Sequence, residues 1–414
     1  MTLEEAERLL LSLELFGMRF GLDRIRRLLT ALDAPQDRLR VIEVVGTNGK
    51  SSTVRMTAAI LRGHGLRTGA YLSPHLASFT ERIRIDDEDV DGPTFAAAVA
   101  RAAAAAEKVD RTQPEGDRVT QFELLTAAAI DCFARAGVEA VVVEAGLGGR
   151  YDATNVLDSE VQLLTNVGLE HTRWLGPTIH DIATEKLDVV RASGTLVIGS
   201  DLHDEARAVA ESVCSERGAR LIEAAADPGA GMQLGARGLF QRRNFALAMA
   251  GAEALIGPLD AAAVTDAAAR TLVPGRLEVL AQDPLTLVDG AHNPAGVAAL
   301  VEAIPELVGD RRLVLCVGIR DDKDAAEMLR PLLGMCDAVV ATRAGDDRAL
   351  PPATLTSLAS QLGFTGASEA VQDPRRALRR AQELAGEGGV ALATGSIYLV
   401  ADLLAPDRAV RSVL

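Results

Sequence analysis

A glycine-rich stretch that ends on a lysine has the residue types of a phosphate-binding loop. It reads Gly46-Thr-Asn-Gly-Lys-Ser-Ser52, follows a β-branched run that predicts a buried strand, and precedes a helical pattern. Backbone N–H groups at such a helix start point at an anion, the helix dipole favours the anion, and Lys50 adds a positive charge. A hydroxyl beside the lysine can bind Mg²⁺, and the sequence leaves open whether Ser51 or Ser52 supplies it.

Two apolar runs that read as central parallel strands each deliver a polar residue to the edge of a sheet. The run 138–143 leads into Glu144, and the run 161–167 leads into a loop that contains His171. A carboxylate at that edge is well placed to bind a metal that a nucleotide holds. His171 alone is explained as well by a buried core histidine as by a functional one.

Three further loops carry residues that often bind ligands. The loop 73–83 contains a proline, a histidine and a Glu-Arg pair, and loops of this kind are common functional sites. An ordinary surface loop is the alternative for this segment. Two more loops follow strand-like runs in the second half of the chain, and they span Asp289–Pro294 and Gly318–Asp324.

The elements that must position these residues alternate between strands and helices. Residues 3–32 carry two helical patterns, broken around 17–21, and a Pro-Gly turn at 272–276 separates two periodic regions. Beyond the turn, strand-like runs lie at 285–288, 313–317, 338–341 and 390–393. We predict an α/β protein with a P-loop domain on a mostly parallel sheet over 1–271, a linker over 272–276 and a smaller Rossmann-like domain over 277–414.

Composition and charge argue against several classes of function. The chain has 414 residues, 48% of them apolar, and a formal net charge of −15 without a basic block, which argues against nucleic-acid binding. No uncharged apolar run is long enough to span a membrane, and the acidic, amphipathic N-terminus is unlike a signal peptide. The dispersed cysteines follow no metal-ligand spacing and indicate buried thiols in a reducing compartment. We therefore expect a cytoplasmic protein with no nucleic-acid or membrane partner.

Short motifs across nearly the whole chain resemble, in their order, those of folylpolyglutamate synthase and dihydrofolate synthase, a family of the Mur ligase superfamily. No single motif is specific for this family, but the complete set of motifs is. The matching stretches are Gly46–Lys50, Ser73–Leu76, Glu81–Ile83, Glu144–Gly149, Asp152–Asn155, Thr165–Thr172, Pro274–Arg276, Asp289–Pro294 and Gly395–Tyr398.

The resemblance implies a Mur-ligase-type central domain, a C-terminal glutamate ligase domain and a reaction. A substrate carboxylate takes the γ-phosphoryl group of ATP, the amine of L-glutamate attacks the acyl phosphate, and ADP and phosphate are released. Cations must screen the anions that meet, and a cleft between domains must keep water from the acyl phosphate. Dihydropteroate, reduced folate or both are the implied acceptors.

The same resemblance implies roles for individual residues of this chain. Catalytic roles are implied for Lys50, Lys186 and His292. Contacts to ATP are implied for Gly46, Thr47, Asn48, Gly49, Lys50, Ser51, Ser52, Asn244, Arg276 and Asp289. Ligands of Mg²⁺ are implied at Ser73, Glu144 and His171. The pterin or folate pocket is implied to be lined by Pro74, His75, Arg82, Gln121, Phe122, Asp152 and Ala153.

Lys186 is implied to be carbamylated by CO₂, because a second Mg²⁺ needs an anionic oxygen ligand that a bare ammonium cannot provide. Only the neutral amine reacts with CO₂, so burial or nearby cations must lower the pKa of Lys186. A solvated lysine on a helix face is the ordinary alternative. The chain departs from the family at Leu187-Asp188, where Ala-Gly is usual, and at Ser51, where Gly is usual. It also departs from the common GxxxxGK[ST] loop, because Val44 replaces the first glycine.

Two other functions are compatible with the phosphate loop. A Mur-type amino-acid ligase would use a different acceptor, and the resemblance of the 73–83 loop argues against it. A regulatory nucleotide-binding module without catalysis would not need Lys50, Glu144, His171 and His292. The sequence does not decide between one acceptor and both, and we expect a monomer.

Overall fold

The computed structural model describes residues 1–13, 21–114, 116–229 and 231–404. The break predicted around 17–21 lies almost entirely outside these segments, as do residues 405–414 of the predicted second domain. The described segments form two layered α/β units with one sheet each, so the predicted fold class is confirmed.

The first sheet is built from eight strands of the described chain. They are β1 (Arg40–Val45), β2 (Thr68–Tyr71), β3 (Ile83–Ile85), β4 (Glu88–Asp89), β5 (Ala140–Glu144), β6 (Val161–Leu164), β7 (Thr195–Ile198) and β8 (Arg220–Glu223). Their order is β4-β3-β2-β5-β1-β6-β7-β8, and all neighbours are parallel except the two pairs that involve β3. The central position of β1 places its carboxyl end at the edge where parallel sheets bind ligands.

Helices cover both faces of the first sheet. They are α1 (Leu3–Ser12), α2 (Asp23–Ala31), α3 (Lys50–Gly63), α4 (Gly92–Asp110), α5 (Gln121–Arg135), α6 (Thr172–Leu175), α7 (Ile179–Leu187), α8 (Asp204–Arg217), α9 (Leu239–Ile256) and α10 (Ala261–Arg270). On β1, Val41 packs with α1, α2, α4 and α5, whereas Ile42 and Val44 pack with α3, α9 and α10. Burial on both faces explains why the central strands read as continuous apolar runs.

The second sheet is built from six strands of the described chain. They are β9 (Glu278–Gln282), β10 (Leu285–Val288), β11 (Leu313–Val317), β12 (Ala338–Ala341), β13 (Ala367–Ala370) and β14 (Val390–Thr394). Their order is β13-β12-β11-β14-β10-β9, and only β9 is antiparallel to its neighbour. Its helices are α11 (Pro294–Val308), α12 (Ala325–Leu333), α13 (Pro352–Gln361), α14 (Pro374–Ala385) and α15 (Ile397–Leu404). No helix within the described residues is long and apolar enough to span a membrane.

The sequence prediction missed the edge strands β9 and β13, and it misjudged one loop and the end of one strand. Both strands lie at sheet edges and are partly exposed, so neither has a continuous apolar run. The loop predicted over 73–83 contains a 3-10 turn, Phe79–Arg82, and its last residue begins β3. The strand predicted over 161–167 ends at Leu164, because the next two residues hydrogen-bond to the phosphate loop.

Val273 and Leu277 lie on opposite sides of the boundary between the two cores. Val273 is buried with the helices of the first sheet, and Leu277 is buried with the strands of the second. We therefore propose the division into domains 1–271 and 277–414 with a linker over 272–276, because each part has its own hydrophobic core.

Candidate active site

The phosphate loop links the end of β1 to the start of α3. Gly46 and Gly49 are the positions where its path requires glycine, because their φ angles are 148° and 84°. Neighbours also leave no room for a side chain. A Cβ on Gly46 would lie 1.9 Å from Thr165 Oγ1, and a Cβ on Gly49 would lie 2.5 Å from Asn244 Oδ1.

Lys50 and Lys186 meet at one carbonyl oxygen. Lys50 Nζ donates to Gly46 O at 3.1 Å and to Thr47 O at 3.2 Å, and Lys186 Nζ donates to Gly46 O at 2.9 Å. Burial, and next the charge of Lys50, lower the pKa of Lys186 to about 7. Because Lys186 is only 4% exposed, the alternative of a solvated helix residue is wrong.

The placement of lysine is informative because the residue is rare in this chain. The sequence has 43 lysines and arginines, of which only Lys50, Lys108, Lys186 and Lys323 are lysines. All of these except Lys108 line the cleft around the phosphate loop. Burial can make a lysine neutral but not an arginine, so lysine suits a site where the charge must change.

Asn48 connects the phosphate loop to both domains. Its N–H donates to Asn166 Oδ1 at 3.0 Å, and its carbonyl accepts from Thr165 Oγ1 at 2.6 Å. Its side chain forms a reciprocal amide pair with Asn293, at 3.1 and 3.0 Å, and Asn293 caps α11 of the second domain. The shape of the loop and the docking of the second domain therefore depend on the same residue.

Glu144 is the last residue of β5, and its carboxylate faces the phosphate loop. Its Oε1 accepts from Ser51 Oγ at 3.0 Å, and its Oε2 accepts from the Ser73 N–H at 3.1 Å. Of the two serines that the sequence left open, Ser51 therefore places its hydroxyl at the carboxylate. Burial raises the pKa of Glu144, and the charge of Lys50 opposes this shift. This oxygen-rich group of side chains fits a hard cation such as Mg²⁺.

His171 precedes α6 and lines the same cleft. Its backbone is left-handed, with a φ of 52°. Desolvation by the cleft wall is the largest influence on His171 and lowers its pKa to about 4, although the residue is partly open to solvent. The charge of Glu170 opposes this shift, and the charges of nearby lysines add to it. The imidazole is therefore neutral, which is the form that binds metals. The alternative of a buried core histidine is wrong, because the residue is exposed.

Glu170 contacts residues of the second domain, and the sequence analysis did not identify it as a site residue. Its Oε1 lies 2.9 Å from Lys323 Nζ and 3.4 Å from His292 Nε2, and both partners belong to the second domain. Burial alone would raise the pKa of Glu170, but His292 and Lys323 outweigh burial and lower it. His292 Nδ1 also contacts Gly290 O at 2.9 Å, which fixes its ring. The position of Glu170 beside His171 is the signal that could have identified it.

Asn244 and Arg276 contribute to the cleft from opposite sides of the linker. Asn244 lies against Gly49, and its Nδ2 donates to Gln241 Oε1 at 3.0 Å. The Arg276 guanidinium lies against Gly290, where a Cβ would meet its Nη1 at 2.3 Å. Both predicted ATP contacts are therefore within the cleft that contains the phosphate loop.

Asp289 shapes the loop that carries His292. Its Oδ1 accepts from the Ala291 N–H at 2.8 Å, and its Oδ2 accepts from the Leu277 N–H at 3.0 Å. Burial raises the pKa of Asp289, and the charge of Arg276 opposes the shift. Asp289 thus ties its loop to Leu277, the first residue of the second domain, and it also lines the cleft.

The predicted pterin-pocket residues line the same cleft, with one exception. Those at the cleft surface are Pro74, Arg82, Gln121, Phe122, Asp152 and Ala153. His75 is 3% exposed and lies behind the wall, where its Nδ1 accepts from Arg82 Nε at 3.0 Å. His75 therefore orients Arg82 from behind.

The cleft that joins these groups has a volume of about 1120 Å³. Residues of both domains line it, and its floor is the phosphate loop, including Thr47, Asn48, Gly49, Lys50, Ser51 and Ser52. Gly46 and Lys186 line a smaller pocket that adjoins it. This volume is slightly above the range of about 300 to 1,000 Å³ for ligand pockets, and it is sufficient for a nucleotide and a second substrate.

Known proteins are similar to this chain in sequence and in fold. The protein-family model described as "Mur ligase, glutamate ligase domain" matches residues 275–397. The dihydrofolate synthase/folylpolyglutamate synthase of Bacillus subtilis is 30% identical over 416 residues, which cover 94% of this chain and 95% of the relative. A "Probable bifunctional folylpolyglutamate synthase/dihydropteroate synthase" of Haloferax volcanii is 34% identical over 97% of this chain, which spans 50% of that longer protein.

Solved structures agree over the whole fold. Mycobacterium tuberculosis folylpolyglutamate synthase complexed with ADP and AMPPCP has a TM-score of 0.89 at 30% identity, with 97% of both chains covered. Escherichia coli FolC in complex with DHPP and ADP has a TM-score of 0.86 at 27% identity, with 98% of this chain and 97% of the other covered. The bifunctional Yersinia pestis enzyme complexed with AMPPNP and Mn ion has a TM-score of 0.85 at 29% identity, with the same coverage. The chain belongs to the folylpolyglutamate synthase and dihydrofolate synthase family of ADP-forming Mur ligases.

Proposed function

We propose that this chain is an ATP-dependent ligase that joins L-glutamate through an amide bond to dihydropteroate, to a reduced folate, or to both. The observation that supports this most directly is the convergence of Lys50 and Lys186 on the Gly46 carbonyl, within a cleft that both domains line. Family membership supports the reaction class, and the lining of the cleft supports a second substrate beside the nucleotide.

The residues at the phosphate loop suit the charge changes of the reaction. The acceptor carboxylate attacks the γ-phosphorus of ATP, and the bond from that phosphorus to ADP breaks. The amine of L-glutamate then attacks the acyl carbon and displaces phosphate. Lys50 and Lys323 supply positive charge where these anions meet. His292, held by Glu170, is the second-domain group that we place near the incoming glutamate.

The direct test of the proposal is release of ADP with a panel of acceptors. Protein mixed with ATP, Mg²⁺, L-glutamate and dihydropteroate should form ADP and dihydrofolate. Tetrahydrofolate in place of dihydropteroate should gain a glutamate if the second activity is present. Turnover with neither acceptor but with another acid would indicate a different Mur-type ligase. Nucleotide binding without turnover on any acceptor would indicate a binding module.

We also propose that Ser73, Glu144 and His171 hold Mg²⁺, which would neutralise charge on the phosphates of the bound nucleotide. Glu144→Gln should raise the Mg²⁺ concentration for half-maximal rate at least about tenfold, because the ion loses a charged ligand. Glu387→Gln, at an exposed position, should leave the titration unchanged. An unchanged titration in Glu144→Gln would remove this residue from the metal site.

We further propose that Lys186 is carbamylated and that the resulting carboxylate holds a second Mg²⁺. The neutral amine forms a bond from Nζ to the carbon of CO₂ and releases one proton. A pKa of about 7 supports this step, because a large share of the amine is neutral near that pH. NMR with ¹³C-bicarbonate should show a carbamate signal that Lys186→Ala removes and Lys108→Ala keeps.

Activity gives a second test of the carbamate. Lys186→Ala should lose most of its turnover, and acetate should restore part of it by replacing the missing carboxylate. A fully active Lys186→Ala variant without the NMR signal would reject the modification. We propose a monomer as well, because one chain supplies every residue named at the cleft, and light scattering in solution tests this.

A further inference from the structure

Glu43 is a buried carboxyl group that has no part in the chemistry described above. It lies in the middle of β1, between Ile42 and Val44, and is 0% exposed. Its Oε1 lies 2.7 Å from Thr154 Oγ1, and its Oε2 lies 3.3 Å from Ser159 Oγ. An ionised carboxylate at such a position would be strongly destabilising, so its protonation state and its partners need an explanation.

Thr154 places one hydroxyl between two carboxyl groups. Its Oγ1 lies 2.7 Å from Glu43 Oε1 and 2.8 Å from Asp152 Oδ1. A threonine hydroxyl carries a single hydrogen, so it can donate to only one of these oxygens. The other contact is a hydrogen bond only if that carboxyl group is protonated and donates to Thr154. The geometry therefore indicates that one of the two acids is neutral.

Burial raises the pKa of both acids, and Asp152 is the one whose carboxylate has backbone donors that oppose this rise. Its Oδ2 accepts from the Leu147 N–H at 2.8 Å, and its Oδ1 accepts from the Thr154 N–H at 3.0 Å. Backbone donors stabilise a carboxylate, whereas Glu43 has hydroxyl partners only. Burial is the largest influence on Glu43 and raises its pKa to about 7. The proton therefore belongs on Glu43.

Arg191 is the cation that acts on Glu43. Its Nη2 donates to three oxygen atoms of the segment 155–157, at 2.7 to 2.8 Å, so it holds that turn. The residues paired with Glu43 on the neighbouring strands, Val143 and Gln162, are uncharged. Arg191 reduces the shift in the pKa of Glu43 without removing it.

We propose that Glu43 is a protonated positioning residue, which donates to Thr154 so that Thr154 donates to Asp152 and fixes that carboxylate in the wall of the cleft. The inference rests on the proposed function and on the implied pterin or folate pocket, which includes Asp152 and Ala153 of the cleft wall. A fixed, ionised carboxylate recognises a planar heterocycle with adjacent N–H donors and discriminates against one without them. Glu43 thus contributes to acceptor selectivity without contacting the acceptor.

Two substitutions separate the protonated form of Glu43 from the ionised form. Glu43→Gln keeps a hydrogen-bond donor at every pH, and Glu43→Leu removes it. At about pH 6 we expect the KM for dihydropteroate to be near that of the unsubstituted chain in Glu43→Gln and about tenfold higher in Glu43→Leu, with the KM for ATP unchanged in both. Above about pH 7 the KM for dihydropteroate should rise in the unsubstituted chain as Glu43 ionises, and it should stay constant in Glu43→Gln.

Several results would overturn the inference. An unchanged KM for dihydropteroate in Glu43→Leu would show that Asp152 does not depend on Glu43. A Glu43→Gln variant that behaves like Glu43→Leu would show that the ionised acid is needed. If Glu43→Leu does not fold, the pH profile of Glu43→Gln decides, and an alkaline rise equal to that of the unsubstituted chain would contradict the inference.

Infrared difference spectroscopy separates this inference from the ligase assignment. At about pH 6 the unsubstituted chain should show the C=O stretch of a protonated carboxyl group, which Glu43→Gln lacks. If the protein fails to turn over either acceptor, the proposed function fails, but this band still reports the protonation of Glu43. Absence of the band would overturn the inference even in an active enzyme.

Discussion

Glu170 Oε1 and Lys323 Nζ lie 2.9 Å apart although the two residues belong to different domains. The side chains are 10% and 13% exposed, so water and salt screen the pair only weakly. The amide pair of Asn48 and Asn293 lies at the same junction. These contacts hold the second domain against the phosphate loop, so that residues of both domains line one cleft.

Substitution of Glu170 should impair turnover more than it impairs folding. Glu170→Gln leaves Lys323 and His292 without their shared negative charge, so we expect kcat/KM to fall at least about tenfold. Lys323→Met should have a similar effect. The kcat/KM of the double variant should be no lower than that of the less active single variant, because both substitutions remove the same interaction. Steady-state ADP release measures all three.

An exposed interdomain pair provides the control for this prediction. Arg243 and Glu302 also connect the two domains, at 2.9 Å, but their side chains are 30% and 43% exposed. Exposed ion pairs contribute little, so Glu302→Gln should change kcat/KM less than about twofold. Fully additive losses in the Glu170 and Lys323 variants would mean that the pair does not act as a unit.

Lys50→Ala should abolish most turnover while the protein remains folded. Lys50 lies at the first position of α3. In the proposed function its ammonium neutralises developing charge on phosphate, so we expect kcat to fall at least about a hundredfold. Lys108→Ala, on the exposed face of α4, is the matched control and should keep full activity. Near-normal ADP release in Lys50→Ala would contradict the assignment of the phosphate loop.

The features that the sequence predicted are encoded by residues close together in the chain. The phosphate loop, the placement of Glu144 at a strand end and the boundary near 272–276 follow from short spacing patterns and from continuous apolar runs. Most predicted cleft residues do line the cleft, because parallel strands bring their carboxyl ends to one edge. The edge strands β9 and β13 were missed, since partial exposure removes the apolar signal.

The parts that the sequence did not predict depend on how distant segments meet. The contacts from Glu170 to Lys323 and from Asn48 to Asn293 form only when the domains dock, and no local pattern encodes docking. The position of His75 behind Arg82 depends on the turn between them, so a motif match placed it in the pocket wall instead. Resemblance identifies which residues matter, whereas the direction of each side chain requires the packed structure.

Arg276→Ala should weaken ATP binding far more than acceptor binding. The guanidinium lies against Gly290 in the cleft, beside the linker, so it can reach a phosphate when the domains are closed. We expect the KM for ATP to rise about tenfold, the effect of one lost charge-assisted hydrogen bond, with little change in the KM for the acceptor. Arg379→Ala, at an exposed position on α14, should change neither value. Equal increases in both KM values would not fit this role.

Glu43 should make the stability of the fold depend on pH. Its pKa rises from 4.5 to about 7 on burial, so the folded state holds this proton more tightly than the unfolded state. The stabilisation is therefore complete below about pH 4.5 and is lost as the pH rises through about 7. Between these limits we expect this one group to lower the free energy of unfolding by on the order of 3 kcal/mol. Urea unfolding across this range should show a correspondingly flatter profile for Glu43→Gln, and identical profiles for the two proteins would show that Glu43 is not protonated in the folded state.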